Sequence, residues 1–162
     1  MCLSVYIGSN NPLTEPSDLC SGGLGLEAAS WTPAPLKEYA HVYYLGARRG
    51  SSPLECTCLL AEYIDWEQDP PQTVSDPLSD IADCPFVQLR RYVEAALVGQ
   101  SHMEMVCDDA GGVEHPTPSE DYEPMVLTPS LIRAKSFLFA DGVCTFAMRK
   151  FTVLHDSSTA TE

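Results

Sequence analysis

Basic residues are scarce: nine Lys and Arg stand against 23 Asp and Glu, a formal net charge of −14 over 162 residues. Nucleic acid and anionic membrane surfaces both need a basic footprint, so neither is expected as a partner. The cations present are mostly isolated pairs, Arg48-Arg49, Arg90-Arg91 and Arg149-Lys150. Long hydrophobic runs are absent as well, and none approaches the ~18 apolar residues of a membrane span. The apolar run Leu3 to Ile7 is too short for the core of a signal peptide, and no basic residue precedes it. The expectation is a cytoplasmic protein. No internal repeat and no heptad run is visible, which excludes solenoids and coiled coils. The phosphate-loop pattern Gly-x-x-x-x-Gly-Lys is also missing.

What is present is an ordinary globular balance, 44% apolar and 20% charged. A chain of this length buries roughly 70% of its unfolded surface and is expected to form one domain, over residues 1–154, with a polar tail at 155–162. Seven cysteines are many, and the number is odd. In a reducing compartment most of them are expected to be free thiols acting as small core residues.

Residues 3–8 and 40–46 ("AHVYYLG") read as strands, the second continuous enough in apolar character to be buried on both faces. The thirty residues between them read as loop, punctuated by Asn10-Asn11-Pro12, Gly22-Gly23 and Pro33/Pro35. Residues 59–66 read as strand or irregular structure. A proline-bearing linker, 68–80, leads to the clearest helix, 85–98. There Pro85 occupies the first helical position, and Phe86, Leu89, Val93 and Leu97 recur at helical spacing. Gly99 is a natural stop. "HMEMVC" (102–107) alternates as a strand does, residues 108–124 read as an acidic loop, and Thr128-Pro129 opens a short helix. Asp141-Gly142 between "FLFA" and "VCTFAMRKFTVL" predicts a C-terminal hairpin. The expected fold is α+β (or α/β): a mixed sheet with at least one covering helix and that hairpin.

Several residue groups carry candidate chemistry. Removal of Met1 would give Cys2 a thiol nucleophile beside its own α-amine. In these two residues the start resembles the N-terminal-nucleophile amidohydrolases, although Leu3 stands where the glutamine amidotransferases among them have glycine. The plainer reading of Cys2 is a small apolar residue opening a buried strand. Cys56-Thr57-Cys58 offers two donors to a soft metal such as zinc, which needs about four. Cys107, at the predicted end of a strand, is the expected third donor. Asp108 and Asp109 follow it and suit a cationic ligand, or simply solvate the loop. Arg48 and Arg49, ahead of Gly50-Ser51-Ser52, suit an anion or form a solvated turn.

"MCLSVYIGSNNPL", "HVYYLG" and the closely spaced cysteines after it together resemble a small group of bacterial proteins. These begin Met-Cys-x-Ser-x-Tyr-Ile and carry Val-Tyr-Tyr ahead of a Gly-Cys-Gly-Cys-Gly-Phe loop. Cys56 and Cys58 match the two cysteines, whereas Glu55, Thr57 and Leu59 replace the glycines. The likeness covers about a quarter of the chain. It implies a bacterial origin and carries no activity with it.

Three functions follow as expectations. The first is a cytosolic ligand- or metal-binding protein that uses the loops bearing Cys56, Cys58 and Cys107. The second is a hydrolase with Cys2 as nucleophile. The third is an acidic interaction module that meets a basic protein or a second copy of the chain.

Overall fold

A computed structural model describes residues 3–14, 23–48, 54–55, 57, 64–65, 72–73, 85–109, 117–132, 139–140, 143–144 and 148–156. Six strands form one mixed sheet: β1 (Leu3–Ser9), β2 (Leu24–Ala28), β3 (His41–Ala47), β6 (His102–Asp109), β7 (Glu123–Leu127) and β10 (Arg149–Leu154), in the spatial order β2-β3-β1-β6-β10-β7. All neighbours are antiparallel except β10 and β7, which run parallel. Two short pairs stand apart, β4 (Ile64–Asp65) with β5 (Gln72–Thr73) and β8 (Phe139–Ala140) with β9 (Val143–Cys144).

The expected mixed sheet with a covering helix is present. Helix α1 (Pro85–Ala96) forms where the apolar spacing places it. Gly99, at φ +85°, ends the turn that follows, a conformation a side chain would strain. Phe86, Leu89, Val93 and Leu97 are buried against Val5, Ile7, Leu45, Met103, Met105, Phe151 and Val153. The odd-numbered residues of β1, β3, β6 and β10 therefore face α1, as a period of two requires.

The opposite face is covered by chain rather than by helix. Residues 29–39, with a 3₁₀ turn at Ala34–Leu36, cross it and bury Leu36 against Tyr6, Val106 and Tyr122.

Three expectations need correcting. Residues 24–28 are an edge strand, β2, and not loop; alternation there is spoiled by Gly25, and only pairing with β3 holds it extended. The acidic stretch 108–124 is not all loop, because β6 continues through Asp108 and Asp109 and β7 begins at Glu123. Pro124 sits within β7, which is tolerable on an edge strand because no ladder donor is lost there. Among the described residues the C-terminal hairpin pairs Phe139 with Cys144 and Ala140 with Val143. Residues 149–154 instead run between β6 and β7.

Candidate functional site

The antiparallel weave gathers the singled-out segments at one end of the sheet. Leu3, where β1 begins, lies opposite Asp109, where β6 finishes. Ala47 ends β3 at the same level, and Arg149 opens β10 there, paired with Cys107. Arg48 follows Ala47, and its backbone N–H donates to the Gly23 carbonyl at 2.8 Å.

The segment before residue 58 is stitched in at this end too. Glu55 forms an antiparallel bridge with Ala47, N–H to carbonyl in both directions at 3.2 and 2.9 Å. Gly46 permits this close passage, since a Cβ there would collide with the Glu55 carbonyl oxygen. The Tyr44 hydroxyl donates to that same carbonyl at 2.9 Å. Thr57 is fully buried, and its Oγ1 accepts from the Val5 N–H at 3.1 Å while donating to the Leu45 carbonyl. Its hydroxyl thus fastens the chain to the last paired residues of β1 and β3. Cys2, Arg49, Cys56 and Cys58 lie outside the described residues.

Cys107 and Asp108 are neighbours with opposite fates. The Cys107 side chain, 2% exposed, enters the apolar layer under α1. Burial pushes its thiol pKa well up, against the pull of nearby Arg149. A thiolate is the form that reacts or binds metal, so this environment suits a structural thiol. Among the described residues, no group of three or more His, Cys, Asp or Glu side chains is placed to hold a metal ion.

Asp108 points the other way and is 3% exposed. The Tyr122 hydroxyl donates to its Oδ2 at 2.6 Å. Its Oδ1 is buried and has no hydrogen-bond partner among the described residues. Burial, then the Asp108 charge, raises the pKa of the Tyr6 phenol; burial, then the hydrogen bond to Asp108 and its charge, raises that of Tyr122. Both phenols therefore stay protonated at physiological pH. Rings extend the cluster: Tyr6 meets Trp31 edge-on at 5.4 Å and Tyr44 at a tilt, also at 5.4 Å. The side chain of Asp109 is not among the described features.

Further along the same face, Lys150 pairs with Glu104 at 2.9 Å, and Tyr39 meets the His102 ring edge-on. These residues, with Asn10, Pro35 and Glu38, line a cleft of about 310 Å³. Burial, then Glu104 and Glu38, push the Tyr39 phenol pKa up to about 12. On the helix side, a groove of about 350 Å³ runs between residues 11–14 and α1, lined by Gln88, Arg91, Tyr92 and Ala95 among others.

Sequence reasoning paired Cys107 with Asp108 and Asp109 as one strand-end group. It missed Tyr6, Tyr44, Trp31 and Tyr122. The signal for the separation was available in the alternation of "HMEMVC", which carries one residue further to place Asp108 on the face of Glu104. The aromatic partners lie at separations from Asp108 that range from 14 positions for Tyr122 to 102 for Tyr6, and no spacing announces them.

No protein-family model matches the chain, and neither does any curated protein or solved structure.

Proposed function

We propose that this chain is a binding domain for a cationic ligand, held at the Asp108 end of the sheet on the face away from α1. The observation that carries the reading is the Asp108 carboxylate, nine-tenths buried with only one of its two oxygens supplied with a donor. A buried acceptor left unsatisfied costs about 1–3 kcal/mol, and more when it is charged. Folding does not recover that cost at this position, but a bound cation does. The surrounding field favours the same sign, since the chain carries −14.

Melting of the full-length protein tests this against inorganic cations, organic cations, anions and neutral solutes. Ligand at 100 times its Kd contributes about 2.7 kcal/mol. That corresponds to a shift of several degrees in Tm for a chain of this size. The expected result is stabilisation by at least one cation that Asp108→Asn abolishes. Stabilisation only by anions or neutral solutes, or stabilisation that survives Asp108→Asn, overturns the reading.

A second reading keeps zinc on Cys56 and Cys58. It is supported by Thr57, the residue between them, which is anchored at this same end. Elemental analysis of the purified protein separates the two, because bound zinc removable by chelator with loss of stability supports the cysteine site. The hydrolase reading rests on Cys2 and the interaction reading on the acidic surface. Mass analysis of the mature N-terminus and the oligomeric state in solution are their tests.

A further inference from the structure

We infer that the groove between residues 11–14 and α1 binds a small organic carboxylate, with the carboxylate on Arg91 and an alkyl tail over Ala95 and Ala96 toward Val98. The groove lies on the α1 side of the sheet, so the inference is independent of the Asp108 reading.

The first argument is charge. The chain carries 23 acidic residues against nine basic ones, yet no described residue lining this groove is acidic, and Arg91 lines it. Arg91 is exposed and makes no ion pair among the described residues. Its guanidinium presents a planar fork of donors that fits a carboxylate in a bidentate pair. Fields between exposed charges fade over about 8 Å at physiological ionic strength. A ligand in the groove therefore meets Arg91 more than it meets the net charge of −14.

The second argument is shape. Gln88, Arg91, Tyr92 and Ala95 recur at spacings of three and four, so they form one stripe along α1 beside the core stripe of Leu89 and Val93. Small residues stand where the groove runs: Ala95 is exposed and Ala96 half-buried. Val98, in the turn that follows, is 76% exposed and gives the groove an apolar end. The facing wall is tethered. The Leu13 N–H donates to the Tyr43 hydroxyl at 2.9 Å, and the Asn11 N–H donates to Ser9 Oγ at 3.2 Å. Ser9 Oγ also lies 3.1 Å from Gln100 Oε1, and Gln100 Nε2 donates to the Ala96 carbonyl at 2.6 Å. Both walls are thus fixed before a ligand arrives, which spares the ordering cost of binding. A volume of about 350 Å³ is at the small end of ligand sites and suits one short chain rather than a two-chain lipid.

Calorimetric titration of the full chain with sodium octanoate, against sodium butyrate, tests the inference. Saturable octanoate binding is expected, with butyrate at least about tenfold weaker, since each buried methylene adds about two- to fourfold in affinity. Arg91→Gln should weaken octanoate binding about tenfold or more, the share of a charge-assisted pair. Ala95→Leu, at an exposed helical position that accepts a larger helix former, should fill the groove and abolish binding. Circular dichroism and melting of both variants show that each is folded. Absence of saturable octanoate binding, octanoate binding unchanged in either variant, or butyrate binding as tight as octanoate overturns the inference. None of these outcomes bears on the cation reading, which Asp108→Asn tests separately.

Discussion

Along β6, Met103, Met105 and Cys107 enter the apolar layer beneath α1, while His102, Glu104, Val106 and Asp108 lie on the opposite face, which the segment 29–39 crosses. The two faces share every strand and differ in what covers them. On the α1 side, complementarity is mostly a matter of volume: aliphatic, aromatic and thioether groups fill most of the space, beside a buried Arg149 that bonds Glu123. On the other side it is a matter of pairing, since each buried polar atom must find a specific donor, acceptor or counter-charge. Glu104 finds Lys150, and Tyr122 finds one oxygen of Asp108. A face stabilised by volume tolerates change in proportion to volume lost. A face stabilised by pairing responds to a single atom, and it is the natural place for a ligand to complete.

The largest effect should come from the volume side. Leu89→Ala, at a fully buried α1 position, should destabilise by about 2–5 kcal/mol in a denaturant titration. A cost below 1 kcal/mol would mean that α1 packs loosely and that the contrast between the faces is false.

Next comes one atom on the pairing side. Tyr122→Phe keeps the ring and removes the donor to Oδ2, leaving both Asp108 oxygens unpaired. The expected cost is about 1–3 kcal/mol, out of proportion to the volume removed. A neutral outcome would place water at the carboxylate and weaken the argument for a ligand.

Alkaline pH probes the pairing side as a whole. Tyr39, with its phenol held up at about 12 against an ordinary value of 10, binds its proton more tightly when folded. Its contribution is complete below pH 10 and is lost as the pH rises from 10 to 12; the raised Tyr6 and Tyr122 act in the same direction. The urea midpoint should fall across that window, and by less in Tyr39→Phe. An unchanged fall in that variant would remove Tyr39 from the account.

The smallest effect belongs to the solvent side of α1. Arg90→Ala should change stability by no more than about 0.5 kcal/mol. A loss comparable to that of Leu89→Ala would mean that the helical phase is misassigned.

Local pattern was legible where a single element carries its own signal. Pro85, the spacing from Phe86 to Leu97 and Gly99 specify α1 without reference to anything else. The runs at 3–8, 40–46 and 102–107 likewise announce β1, β3 and β6. β2 and β7 were not legible, because "LGLEA" and "EPMVL" have weak alternation and become strands only by pairing with β3 and β10. The hairpin signal at Asp141-Gly142 was local and correct for four residues. It could not reveal that 149–154 leave it to sit between β6 and β7.

For the candidate site, the sequence by itself determined which residues carry chemistry: the thiols, the acidic pair after Cys107, the arginines after β3. It also determined the strand periodicity that sends adjacent residues to opposite faces. The tertiary structure alone decided that the start of β1, the end of β3, Thr57 and the end of β6 meet at one edge. It also decided that Cys107 is sealed under α1 while Asp108 lies against Tyr6 and Tyr122. The physical reason is range. Periodicity and turn chemistry act over a few residues, whereas the environment that makes one acid a partnered surface group and another a buried, half-paired one is assembled from strands up to a hundred residues apart.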